Sequence, residues 1–195
     1  MFRLARPSSA SIARALAAAD SLPAFAPGIL NGNGPSSTDG LTFGFARDRR
    51  RTMLGHGPAC FAAARRAFER WAMFDLGWVR VANRDAEITV GQIVAVEAHT
   101  LGMWTLNLSR IVEVIASEHA FGFVYSTTTM HVEEGEERFL LEFDPRCSEV
   151  FYDLEAVSCP RNALARMGFP ITRHYQHRFA RETHTRMLEE VRSSG

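Results

Sequence analysis

The sequence predicts an α+β domain: an antiparallel curved sheet, built as a meander, with a helix before it and a long C-terminal helix packed across it. Three observations carry this. Apolar residues recur at three- and four-residue steps around Phe61 to Ala72, alternate with a period of two between Trp78 and Ser158, and return to helical spacing from Ile171 onward. Several gaps in the alternating region are short and rich in Gly, Pro, Asp or Ser, which favours consecutive antiparallel pairing.

The opening "MFRLARPSSASIARALAAADSLP" reads as a helix started by Pro7 and Ser8 and stopped by Pro23. It is also rich in serine and free of acid until Asp20, the profile of an organelle-targeting peptide. "FAPGILNGNGPSSTDG" has little to bury. The expected division is therefore an N-terminal helical segment over 1–24, a loop or linker over 25–40 and a single α+β domain over 41–195. In "LGHGPACFAAARRAFERWAMFDLGW", Gly57 and Pro58 start a helix whose buried stripe is Phe61, Ala64, Phe68, Trp71 and Ala72, and Gly77 ends it. "EITVGQIVAVEA", "WTLNLSRIVEVIA", "AFGFVYSTTT", "EERFLLEF" and "EVFYDLEAVS" are the strands. "NALARM" is a short helix. The last helix then carries Ile171, Tyr175, Phe179, Met187 and Val191 along one stripe.

Composition narrows the function. All 22 basic residues are arginine, which removes lysine Schiff-base chemistry and a P-loop lysine. Eleven arginines face five acids over residues 1–80, four face fourteen over 81–160, and seven face three over 161–195. The acidic middle would repel phosphate, so nucleic acid is not an expected partner. No apolar run is long enough for a bilayer. Cys60, Cys147 and Cys159 lack C-x-x-C spacing, which fits reduced thiols in a cytoplasmic setting. No cofactor is expected, and no metal: His174 and His177 are spaced i, i+3 but flanked by Arg173, Arg178 and Arg181. No G-x-S-x-G elbow is present, Cys159 has no identifiable histidine partner, and the H-x-E at His131 is not followed by P-C-x-x-C.

The chemistry concentrates in "FGFVYSTTTMHVEEGEERFLLEF". A hairpin places "HVEEG" at its tip, with Gly135 at positive φ and Glu133 and Glu134 in water. Glu136 and Glu137 enter the next strand and point to opposite faces. Glu137 shares its parity with Phe139, Leu141 and Phe143 and is the expected inward carboxylate, in need of a partner. Arg110, on the parity of Leu106, Leu108, Val112 and Val114, is the candidate partner, either as a structural ion pair or as a ligand clamp.

From "MFRLARPS" to "RFAR", the chain resembles the uncharacterised protein family 0548, the domain of unknown function 1990. "LGHG" at Leu54 and "FDLGW" at Phe74 belong to the resemblance, which is sharpest in "FVYSTTTMHVEEGEERF". That stretch is similar to the family's Phe-x-Tyr-Gly-Thr-Leu-Pro-Gly-His and Gly-Glu-Glu-x-Phe at Phe123, Tyr125, Thr127, His131, Gly135, Glu136, Glu137 and Phe139. Ser126, Thr128, Thr129 and Met130 replace the family's Gly, Leu, Pro and Gly, and residues 25–40 lack its Tyr-Pro-Glu-Val-Gly-Ala-Thr. The resemblance implies that the first helix is part of the folded protein, with Ile12, Leu16 and Leu22 packed on the domain. It also implies an architecture similar to the helix-grip, START-like lipid-binding fold, and no established activity.

Three functions fit this reading. In a binding module, sheet and terminal helix enclose a small apolar, lipid-like or aromatic molecule. Trp104, Tyr125, Thr127, Phe139, Tyr152 and Phe179 would line its site, and Arg110, His131 and Glu137 would supply polar anchors. In an enzyme on the same scaffold, His131 and Glu137 form an acid–base pair. In a structural or interaction protein, the aromatic residues simply fill the core. Cavity volume and the burial of Glu137 discriminate among them.

Overall fold

Alternation between two faces governs the fold, because both faces of the sheet are covered. A computed structural model describes residues 2–25, 28–30, 45–131, 133–160 and 169–193. The elements in order are β1 (Phe2–Arg3), α1 (Ser9–Ala19), β2 (Ala46–His56), α2 (Gly57–Glu69), a 3-10 turn (Ala72–Phe74), β3 (Val79–Val81), β4 (Ile93–Thr100), β5 (Met103–Ala116), β6 (Ala120–Thr127), β7 (Glu133–Asp144), β8 (Glu149–Pro160) and α3 (Phe169–Ser193). The helix expected over 162–167 and most of the 25–40 linker lie outside the described residues. No described helix is long and apolar enough to cross a membrane.

Strand order is β2-β8-β7-β6-β5-β4-β3, antiparallel throughout, and β1 pairs with β5 at Trp104 and Thr105, beyond the end of the β5–β6 ladder. The sheet is curled, as the two edges show. Arg173 of α3 pairs with Asp48 on edge strand β2, and Glu182 of the same helix accepts a 2.6 Å bond from the Trp78 indole beside edge strand β3. Seven strands about 4.8 Å apart would hold those edges roughly 29 Å from each other if flat. One helix meets both only because the sheet wraps around it.

Strand β2 precedes α2 and pairs along its length with β8, whereas the sequence analysis begins the sheet after that helix. Its run "ARDRRRTMLGH" shows no apolar alternation because its outward positions are arginines. Arg47 reaches Glu155 at 2.5 Å and Arg49 reaches Asp153 at 2.5 Å, while Arg138 on β7 meets Glu155 at 2.5 Å. Asp153 and Glu155 are buried beneath these guanidinium groups, which satisfy what would otherwise be costly enclosed charges.

Helix α2 stops at Glu69, short of the expected Gly77, because Trp71 takes a left-handed backbone (φ 60°). That turn drives its indole into the core, where Nε1 donates to the Ala86 carbonyl at 2.9 Å. Phe68, Trp71 and Phe74 then meet Phe123, Phe139 and Tyr152 on the inner face of the sheet, with ring centroids 5.3–5.6 Å apart for the tighter pairs. On the outer face, Ile12, Leu16 and Leu22 pack against Ile93, Leu106 and Leu108. A bulge at Val112 lets Val112 and Glu113 both oppose Val124 on the outer face, so Val114 returns to the inner face with Phe123.

The C-terminal half of α3 seals the inner face through Thr183, His184 and Met187. His184 is therefore not part of a solvated helix face. Its ring stacks on Tyr152 at 4.4 Å, and neither ring nitrogen has a hydrogen-bond partner. Burial, assisted by the nearby Arg50 charge, depresses its pKa to about 4. In the unfolded chain the imidazole titrates near its ordinary value of about 6.5, so the unfolded state alone takes up a proton as pH falls from there toward 4. Urea unfolding should show wild type losing roughly 3 kcal/mol more than His184→Leu across that interval. Parallel pH profiles for the two proteins would exclude this role.

Candidate functional site

Inner-face positions of β7 run Glu133, Gly135, Glu137, Phe139, and α3 lies over this row. Glu137 pairs with Tyr125 on one side and Ala156 on the other, and Gly135 pairs with Ser158. Above them, Tyr175, Gln176 and Phe179 of α3 remain part-exposed, as do Glu133, Glu137, Ala156 and Ser158 below. Two turns further along, Thr183, His184 and Met187 are closed. The helix thus packs more tightly along its C-terminal half than around Tyr175, Gln176 and Phe179, where Gln176 Nε2 donates to Glu133 at 2.7 Å and to Ser158 Oγ at 3.2 Å.

Gly135 sets how closely β7 and β8 approach beneath this part of the helix. The residue lies inside β7 rather than in a loop, and its φ is not positive. A Cβ there would meet the Val157 carbonyl oxygen at 2.2 Å and Ser158 Cα at 2.7 Å, so only glycine permits this approach of β7 to β8. Its N–H donates to Thr127 Oγ1 at 3.0 Å.

Two acids flank Gly135 on this face. The Tyr125 hydroxyl donates to Glu137 Oε2 at 2.7 Å, and Tyr125 is itself buried. Among the described residues nothing bonds Glu137 Oε1, and this oxygen is not sealed off from a water-sized probe. Enclosure by protein pushes the Glu137 pKa up to about 7, with the Tyr125 hydroxyl pulling down and the charge of Glu133 pushing up. Burial raises Glu133 as well, partly offset by a 2.7 Å bond from Gln176 Nε2. The Tyr125 phenol is raised by burial and then by Glu137. Glu133 is accordingly a strand residue facing α3 and not a solvated loop tip.

The sequence-derived candidates divide by face. Tyr125, Thr127, Glu137, Phe139 and Phe179 come together, with Tyr125 and Phe139 ring centroids 5.4 Å apart and Phe139 and Phe179 6.4 Å apart. Tyr152 lies deeper, against Phe68 and His184. Trp104 and Arg110 are on the outer face. Trp104 stacks on His99 at 4.6 Å beneath Arg6. Arg110 donates to the carbonyls of Ala19, Asp20 and Gly91 at 2.8–3.0 Å, holding the end of α1. Its shared parity with Leu106 and Leu108 is real, but that parity faces α1, and the bulge at Val112 breaks the link to Val114. Arg110 and Glu137 are therefore on opposite faces and do not pair. His131 sits in the β6–β7 connection, where Nδ1 accepts from Glu133 N at 3.1 Å.

Sequence reasoning placed Glu133 in water and turned Glu136 away from the interior, and it passed over Gln176. Glu136 is 1% exposed on the outer face, accepting from Gly28 N at 3.0 Å, Leu30 N at 2.9 Å and Ser126 Oγ at 3.3 Å. Both adjacent carboxylates are thus enclosed. The signal available for Glu133 was its parity with Glu137.

The model of the Domain of unknown function (DUF1990) matches residues 34–186. The chain belongs to this family. Among DUF1990 relatives, it is 33% identical over 161 residues to a UPF0548 protein of Dictyostelium discoideum, covering 77% of this chain and 74% of that one. It is 32% identical over 171 residues to a UPF0548 protein of Deinococcus radiodurans, covering 82% and 84%. Among solved structures, the Zhui aromatase/cyclase of Streptomyces sp. R1128 is similar with a TM-score of 0.52 and 13% identity, over 76% of this chain and 94% of that one. The likeness shows that this DUF1990 member shares the helix-grip, START-like fold.

Removing the phenol should expose its effect on the carboxyl. In Tyr125→Phe, the Glu137 pKa rises above its wild-type value because the donor to the carboxylate is gone; a side-chain carboxyl NMR titration that leaves it unchanged or lowered contradicts the pairing. Gly135→Ala should cost roughly 1–3 kcal/mol in chemical denaturation through the enforced clash.

Proposed function

We propose that this protein is a binding module whose hollow, between the first turns of α3 and the end of β6, β7 and β8, holds a small, largely apolar molecule. One observation supports this above the others. Glu137 is enclosed by protein, yet one carboxylate oxygen has no partner among the described residues and stays accessible. Buried polar groups are ordinarily satisfied, and an oxygen left unbonded near Phe139 and Phe179 suits a ligand with an apolar body and one polar head. Tyr125 and Glu137 would hold the head, and Phe139 and Phe179 would contact the body.

A second reading, acid–base catalysis, is favoured by the pKa of Glu137 near 7, where a carboxyl can both give and take a proton. Its immediate partner would be Tyr125, with His131 further out in the β6–β7 connection.

Ala156 is beside Glu137 in the register and part-exposed to the hollow, so Ala156→Phe fills it. Nile red, a neutral apolar dye, should bind wild type with enhanced fluorescence and lose at least tenfold affinity to Ala156→Phe, while the melting transition remains cooperative. Equal binding by both proteins, or none by wild type, counts against the hollow.

A further inference from the structure

We propose that the occupant of this hollow is an amine, an apolar molecule carrying a protonated nitrogen that docks between Glu137 and Glu133. The inference rests on the binding-module reading and deepens it.

The charges around the hollow point this way. From β7 it is faced by Glu133 and Glu137, from β6 by the neutral Tyr125 hydroxyl, and from β8 by Ala156 and Ser158. From β2 comes Asp48, already taken by Arg173. From α3 come Gln176, bonded to Glu133, and His177, whose Nε2 lies 3.1 Å from Arg173. Arg178 is held by Glu182 at 2.6 Å and lies over the Trp78 ring. Among the described residues, no basic side chain bonds Glu137 or Glu133. The charge of Arg173 partly offsets Glu133, but among the described residues Glu137 is met only by the Tyr125 phenol, so this pair disfavours an anionic ligand and a neutral ligand adds no compensating charge. A protonated amine supplies compensating charge, can donate to the free Glu137 oxygen, and is attracted by aromatic rings such as those of Phe139 and Phe179.

The same arrangement couples binding to pH. With the Glu137 carboxyl protonated below about 7, a cation must displace that proton. Amine affinity therefore rises with pH by up to about tenfold per unit through that range and levels off once the carboxyl is ionised.

Three probes with one apolar body separate the possibilities: 2-phenylethylamine, 2-phenylethanol and phenylacetate, titrated calorimetrically into the full chain at pH 6, 7 and 8. The amine should bind at least tenfold more tightly than the alcohol at pH 8 and lose most of that advantage at pH 6, and phenylacetate should bind weakest. Glu137→Gln should abolish the preference for the amine, bringing the amine and alcohol affinities at pH 8 within twofold of each other. If that variant is not folded by circular dichroism, Glu133→Gln and the wild-type pH series carry the same test, with a reduced preference expected. Alcohol or phenylacetate binding as tightly as the amine at pH 8 overturns the inference while leaving the hollow intact. Failure of all three probes and of Nile red overturns both.

Discussion

A sheet can wrap a helix only if that helix touches both of its edges, and every other feature of this molecule follows from how α3 meets that demand. Arg173 reaches Asp48 on β2, and Glu182 holds Trp78 beside β3. The individual bonds contribute modestly because they are partly exposed. Their geometric effect is larger, since they fix the diameter of the curl and therefore the room beneath the helix. Between them the helix crosses the inner face at an angle. Its far half closes on Tyr152, and its near half spans the row in which Gly135 has no side chain.

Covering both faces of the sheet explains the unusual concentration of enclosed acid. Glu97, Glu136, Asp153 and Glu155 are buried on the outer face, and each is met by arginine or by backbone N–H groups. The inner-face carboxyls differ: Glu137 has a phenol and Glu133 an amide. The protein thus separates acids held by arginine or backbone N–H groups from inner-face acids held mainly by uncharged side chains.

Much of the architecture was legible because helix and strand periods differ plainly, and the inner-face set of Phe121, Phe123, Tyr125, Phe139 and Leu141 could be read from parity alone. Parity failed where it was asked to cross a bulge, at Val112, or to say which of two covered faces a residue occupies, as with Arg110 and Trp104. It assumed one interior, and so it allowed only one of Glu136 and Glu137 to be enclosed. Strand β2 was invisible because hydrophobic alternation is the usual signature, and here arginine replaces it, complementing acids more than a hundred positions away in the chain. Gly135 was legible as a glycine that matters but not as a close approach, since a loop and a tight strand crossing make the same demand on sequence.

The pairing of β2 with β8 also shapes how the chain reaches this state. During synthesis β2 emerges early, and the strand that completes its hydrogen bonds, from Ala46 opposite Ser158 to His56 opposite Glu149, is among the last to appear. Such a long-range pairing delays closure of the sheet and leaves an unpaired strand waiting. An apolar strand in that position would recruit other nascent chains, edge to edge. Arg47, Arg49, Arg50 and Arg51 give β2 a like-charged surface that repels its own copies until the acids of β8 arrive, so the residues that later neutralise the finished barrel wall first act to keep the growing chain alone.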